Sequence, residues 1–203
     1  MIGIATMNEL QHDVLREVAN IGAGHAATAL SQMTGRRIMI SVPEIRLLAR
    51  SEVSTLIAEA REPVTLVSLH MLGDLTGETL LAFGGGADRT LASILLSRPP
   101  TPLDGPLSEL EASAVQEVGN ILASSYLNAL ASLMGLMLLP SVPRLYSGPC
   151  ADAIQQREPD AAPEMAFTIN TEFQMEETSV EGKFLLLPDP ASLLRILEHF
   201  RLG

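Results

Sequence analysis

Cysteine occurs once in the 203 residues, at Cys150, and lysine once, at Lys183. A lone cysteine cannot close an intrachain disulfide, which fits a reducing compartment. Twelve arginines and the one lysine stand against 24 acidic residues, for a net charge of −11. A chain so short of positive charge repels phosphate backbones and offers no polybasic handle to anionic lipid, so nucleic acid is not expected as a partner. Long apolar runs are missing too. The most apolar stretch, 126–139, is interrupted by Asn128 and Ser132 and is too short to insert across a bilayer. The opening "MIGIATMNELQHD" has no basic n-region and no long apolar core, and so reads as lacking a signal peptide. His12, His25, His70 and His199 show no ligand spacing such as His-Glu-x-x-His, so no metal site is expected. "FGGGAD" lacks the Lys-Ser/Thr of a phosphate loop and reads as a strand-to-helix turn. A cytoplasmic protein is the expectation.

A hydrophobic fraction of 47% is enough for a sizeable core. Residues 8–34 read as one long helix, with Asn8 and Gln11 as a capping box and Gly35 at the C-terminal stop. "RRIMISVP" reads as a strand ending at Pro43. "PVTLVSLHML" and "GETLLAF" flank the turn "GDLT" as a hairpin, and a short helix follows over 89–96. The Pro-rich stretch 98–106 is a linker. A second long helix, 108–134, again stops at a glycine, Gly135, and "LMLLPSVP" is again a strand. A polar, irregular excursion leads to a second hairpin, "MAFTINTEFQME" with "GKFLLLP". The last helix has Asp189 as N-cap and Pro190 at its first position.

The order helix, strand, hairpin, helix is therefore written twice. At an offset of one hundred, Glu17, Val18, Asn20 and Ile21 meet Glu117, Val118, Asn120 and Ile121. Ala29 and Leu30 meet Ala129 and Leu130, Gly35 meets Gly135, and Ser41-Val42-Pro43 meets Ser141-Val142-Pro143. Chance composition does not produce that register. The expectation is one domain, 1–203, made of two repeats (8–97 and 107–203) related by a pseudo-two-fold axis.

On a wheel of ~100° per residue, Asp13, Glu17 and Asn20 share one helix face. Val14, Val18, Ile21 and Gly22 fall on the other, and Ser113, Glu117 and Asn120 repeat the arrangement against Val118, Ile121 and Leu122. Exposed Glu and Asn are usually a solvated face. Yet Asn is a mediocre helix former placed mid-helix twice. Neighbouring surface positions have also diverged between the halves, Arg16 against Gln116 and His12 against Ala112, while Glu and Asn have not. A carboxamide carries a donor and an acceptor on one rigid plane and can hold a water in line for attack on a phosphoryl group. A carboxylate one turn away can pair with a cation on a partner. Nothing here is a nucleophile and there is no cradle for a free nucleotide, so the phosphate would be carried by another protein. His25 reads as a packed or capped histidine, and the nine methionines as core gap-fillers.

The pattern Asp/Ser-x3-Glu-x2-Asn-x22-Pro, met by Asp13, Glu17, Asn20 and Pro43 and again by Ser113, Glu117, Asn120 and Pro143, resembles that of the CheC/CheX/FliY phosphatases of chemotaxis. The resemblance covers nearly the whole chain and is greatest to the CheC branch, since both motifs are intact. It implies an α/β fold with two long helices on an antiparallel sheet. It implies hydrolysis of the aspartyl phosphate of the response regulator CheY, with Asn20 or Asn120 positioning the attacking water and Glu17 or Glu117 pairing with a lysine of the regulator. No cofactor of the chain's own is implied, because the Mg²⁺ belongs to CheY. CheD is a further partner of such proteins. Where the family carries an acidic-Met pair leading into a CheD-docking helix, this chain has "RLYSGPCADAI", with Gly148 and Pro149. A non-catalytic docking module for a receiver or for CheD is the alternative function. A monomer is expected, since the duplication already supplies two-fold symmetry.

Overall fold

The computed structural model describes residues 9–49, 52, 55, 64–102, 105–149, 165–175 and 178–199. In chain order these form α1 (Glu9–Thr34), β1 (Ile38–Ala49), β2 (Val64–Gly73), β3 (Gly77–Gly84), α2 (Ala87–Leu96), α3 (Glu109–Met134), β4 (Leu138–Pro140), β5 (Arg144–Gly148), β6 (Met165–Met175), β7 (Thr178–Pro188) and α4 (Pro190–His199). The Asn8–Gln11 capping box and most of the polar excursion lie outside the described residues. α1 and α3 both end at a glycine with positive φ, 67° at Gly35 and 65° at Gly135, a conformation only glycine adopts without steric cost.

The strands make one antiparallel sheet in the order β1-β6-β7-β3-β2-β4, with β5 also paired to β2. Exchanging the two repeats maps β1 onto β4–β5, β2 onto β6 and β3 onto β7, and reverses the order into itself. The symmetry is therefore built into the pairing. At its centre Leu80 faces Leu185, which occupy the same place in "GETLLAF" and "GKFLLLP". Each repeat lends a strand to the other: β1 pairs with β6, and β4 and β5 pair with β2.

Two expectations are corrected. β1 does not stop at Pro43 but runs on to Ala49. The chain passes the proline by a register shift between Ser41 and Glu44, where two residues oppose one. A bulge is where a strand tolerates a residue without an N–H. The equivalent strand of the second repeat is cut at the same place into β4 and β5, again with one extra residue between the pairs Pro140–Met71 and Arg144–Ser68.

α1 and α3 lie antiparallel on one face of the sheet. Leu15 and Val18 share a core with Leu127, Leu130 and Met134, while Ala23, Ala26 and Leu30 share one with Val115, Val118 and Leu122. α2 adds Leu91 and Ala92 to this layer, and α4 adds Ile196 and Leu197. The helices approach closely because small residues stand at the contacts. A Cβ on Gly22 would sit 2.4 Å from the Tyr126 ring and 3.0 Å from its Cα, and one on Gly119 would sit 2.5 Å from Val67. Among the methionines, Met71 and Met134 fill the core as expected, but Met33, Met39 and Met137 are exposed.

Candidate active site

The buried stripe of α1 is Leu15, Val18, Ala19, Gly22, Ala23, Ala26 and Leu30. That stripe turns Asp13, Glu17 and Asn20 to solvent, all three exposed. On α3 the stripe of Val115, Val118, Gly119, Leu122 and Tyr126 leaves Ser113 and Glu117 exposed and Asn120 half-buried. Each Glu stands eight residues into its helix, with its Asn one turn further on. The two sets are not brought together. α1 and α3 cross near Gly22 and Tyr126. At about 1.5 Å per residue, Asn20 and Asn120 are therefore roughly 12 Å apart along the axis, on opposite sides of the crossing.

Among the described residues, the side chains of Glu17, Asn20, Glu117 and Asn120 have no hydrogen-bond or ion-pair partner. A carboxylate and a carboxamide held on rigid helix, with their capacity unspent, are available to a ligand from outside. Ile21 corrects the reading that set it on the apolar side: it is 40% exposed beside Asn20, because, four residues past Glu17, it lies only ~40° from it around the helix, while α3 packs along the small residues 19, 22, 23 and 26. His25, expected to be packed or capped, is exposed.

The prolines of the motif lie on the strand that returns beside each helix. Pro43 falls in the bulge of β1, and Pro143 between β4 and β5. The Pro143 carbonyl accepts a hydrogen bond from Gln116 Nε2 at 3.4 Å, which ties the strand break to the residue next to Glu117. In the first repeat the tie is made one turn earlier, between His12 Nε2 and the Ile45 carbonyl at 3.2 Å. Sequence reasoning took His12 and Gln116 as drifted surface. Each in fact holds a motif-bearing helix to a motif-bearing strand, and the fixed spacing to the prolines was the signal that could have shown it.

The base of α3 is pinned by a polar cluster. The Ser108 hydroxyl caps Glu111 N, and the Glu111 carboxylate accepts from Ser108 N at 2.8 Å, closing a capping box. Thr101 donates to Glu111 Oε1 at 2.7 Å, Arg89 Nη1 donates to Thr101 at 2.6 Å, and Arg89 Nη2 donates to the Gly105 carbonyl. The hydroxyls of Ser108 and then Thr101 hold the Glu111 carboxyl down to about 2. The linker is thus bonded to both α2 and α3. Beneath the helix crossing, burial pushes the Tyr126 hydroxyl up to about 12. No group of three or more His, Cys, Asp or Glu that could hold a metal occurs among the described residues. No helix among them is long and apolar enough to cross a membrane.

The profile of the CheC-like family matches residues 10–46 and 110–147, the two helix–strand units that carry the motifs. The chain is 35% identical over 189 residues to the CheY-P phosphatase CheC of Bacillus subtilis, covering 90% of each chain. Among solved structures it superposes on Thermotoga maritima FliY with a TM-score of 0.79 at 22% identity, covering 97% of this chain and 98% of that one. It also matches the Borrelia burgdorferi CheX–CheY–BeF3–Mg2+ complex with a TM-score of 0.50 at 14% identity, over 82% and 95%.

Proposed function

Because this chain belongs to the CheC-like family, we propose that it accelerates hydrolysis of the aspartyl phosphate of a CheY-type receiver. The observation that carries this reading is the Glu–Asn pair, present once on each long helix, exposed on α1, with Glu117 exposed and Asn120 half-buried on α3, and unspent on any described neighbour. Asn20 or Asn120 enters the receiver's site and orients a water in line with the phosphorus. Glu17 or Glu117 pairs with a cation of the receiver and fixes the register of docking. The Mg²⁺ of the reaction is held by the receiver. Each repeat carries a complete set of Glu, Asn and Pro, so a monomer suffices. The departure at Gly148 and Pro149 argues against docking of CheD through that segment.

The test is the decay of phosphorylated CheY with and without the protein. Acceleration at substoichiometric protein supports the reading. Binding of the phosphorylated receiver without faster decay would leave a docking module instead.

A further inference from the structure

The two sites trade the exposure of two equivalent apolar residues. In the first, Ile21 is 40% exposed and Val42 only 6%, packed in the core. In the second, Ile121 is half-buried against the core, and Val142 is 83% exposed. Both positions border the site. Ile21 is one turn beyond Glu17 on the same helix face and adjacent to Asn20. Val142 precedes Pro143, whose carbonyl bonds to Gln116 next to Glu117. The strands explain the exchange. The β1 bulge keeps Val42 in the core, between Ser41, paired with Glu172, and Glu44, paired with Asn170. In the second repeat Ser141 takes the hydrogen bonds of His70: Ser141 N donates to His70 O, and His70 N donates to Ser141 Oγ. β4 ends there, and Val142 is left outside the sheet.

We infer that each site presents one apolar contact to the docked receiver from a different element, Ile21 from helix α1 in the first and Val142 from the strand break in the second, so that the two sites hold a receiver in different ways. This rests on the phosphatase reading, and the occupant is the same phosphorylated receiver domain. Apolar surface beside an exposed Glu–Asn pair is covered when that pair docks. Covering a side chain of this size is worth about ten-fold in affinity. Ile21 and Val142 touch no reacting atom, so they act on capture and not on the chemical step.

The experiment isolates each site by disabling the other. In an Asn120→Ala background, Ile21→Ser should raise KM for phosphorylated CheY about ten-fold with kcat unchanged, and Val142→Ser should do nothing. In an Asn20→Ala background the pattern should reverse. Titration with beryllofluoride-loaded CheY in a Glu117→Lys or a Glu17→Lys background, where capture at one site is weakened, gives the same comparison as affinities, independent of turnover. Val142 is 83% exposed, so its variant should melt as wild type does, while Ile21, 40% exposed, should cost its variant only a small drop in Tm, and both are assayed well below their melts. Unchanged KM and affinity in both backgrounds would overturn the inference while leaving the phosphatase reading intact, as would an effect of either residue in the wrong background. A wild-type protein that neither accelerates decay nor binds the loaded receiver would overturn both.

Discussion

The first repeat threads its proline through an unbroken strand, while the second breaks the strand at the same residue. β1 is twelve residues long, and its counterpart is split into β4 of three and β5 of five. The helices differ as well. α1 sets one of its two glycines, Gly22, against α3, whereas α3 sets its glycine, Gly119, against β2. The first helix is tied to its strand by His12, the second by Gln116. What the halves share is narrower: the Glu–Asn pair, the stop glycine, the displaced Ser-Val-Pro and the mirrored strand order. Packing can be solved in several ways on one sheet. The roles proposed for the amide and the carboxylate allow less freedom, and this pair is a part on which the two repeats agree.

The largest change that would break this likeness is removal of both amides. Asn20→Ala with Asn120→Ala should abolish most of the acceleration, on the order of 10²–10³ in rate, since a preorganised polar group that acts in the transition state is lost. Affinity for the phosphorylated receiver should be nearly kept, and the melting temperature should hold, because alanine is the better helix former at these positions. Reversing both carboxylates, Glu17→Lys with Glu117→Lys, should instead weaken capture by ~1.5–3 kcal/mol, read as affinity for phosphorylated CheY.

Glycine substitutions sharpen the contrast in packing. Gly22→Ala forces a Cβ into both the ring and the backbone of Tyr126. It should cost about 1–3 kcal/mol by overpacking, only partly offset by helix propensity, seen as a drop of several degrees in Tm. Gly24→Ala, one turn past Asn20 and with nothing within 4 Å of the new Cβ, should raise stability by up to about 1 kcal/mol.

The last contrast concerns the cap of α3 and is read as a change with pH. Glu111 is an acid whose folded value is depressed to about 2, so its stabilisation is complete above its unfolded value near 4.5 and is lost as pH falls through 2. The stability gap between wild type and Glu111→Gln should therefore be constant at neutral pH and shrink across that acid window, in denaturant melts at matched ionic strength.

The helices, their glycine stops and both hairpins were legible because each is a local pattern. Periodicity, a residue tolerant of positive φ at Gly35 and Gly135, and turn chemistry between apolar runs all act within a few residues. Asp189 was legible as a cap for the same reason, and it accepts from Ser192 N at 2.8 Å. The exchange of strands between repeats was not legible, because pairing partners such as Ile38 and Met175 lie far apart in the chain. Pro43 was misread as an end because a bulge is licensed by the neighbouring strand, not by the proline. The Glu and Asn of each proposed site stand out in the sequence because duplication makes an internal comparison. The apolar rim could not. Ile21 and Val142 are named alike in both repeats, and only tertiary packing decides which copy faces solvent.

The central claim is that one chain carries two independent water-orienting sites. It is tested most directly by measuring the decay of phosphorylated CheY with Asn20→Ala and Asn120→Ala separately, beside wild type and the double variant. The sites are on different helices and share no described partner, so the account predicts that the accelerations lost in the two single variants sum to the wild-type acceleration. A folded double variant that still works at the wild-type rate, or a single variant that alone removes all of the activity, would contradict it.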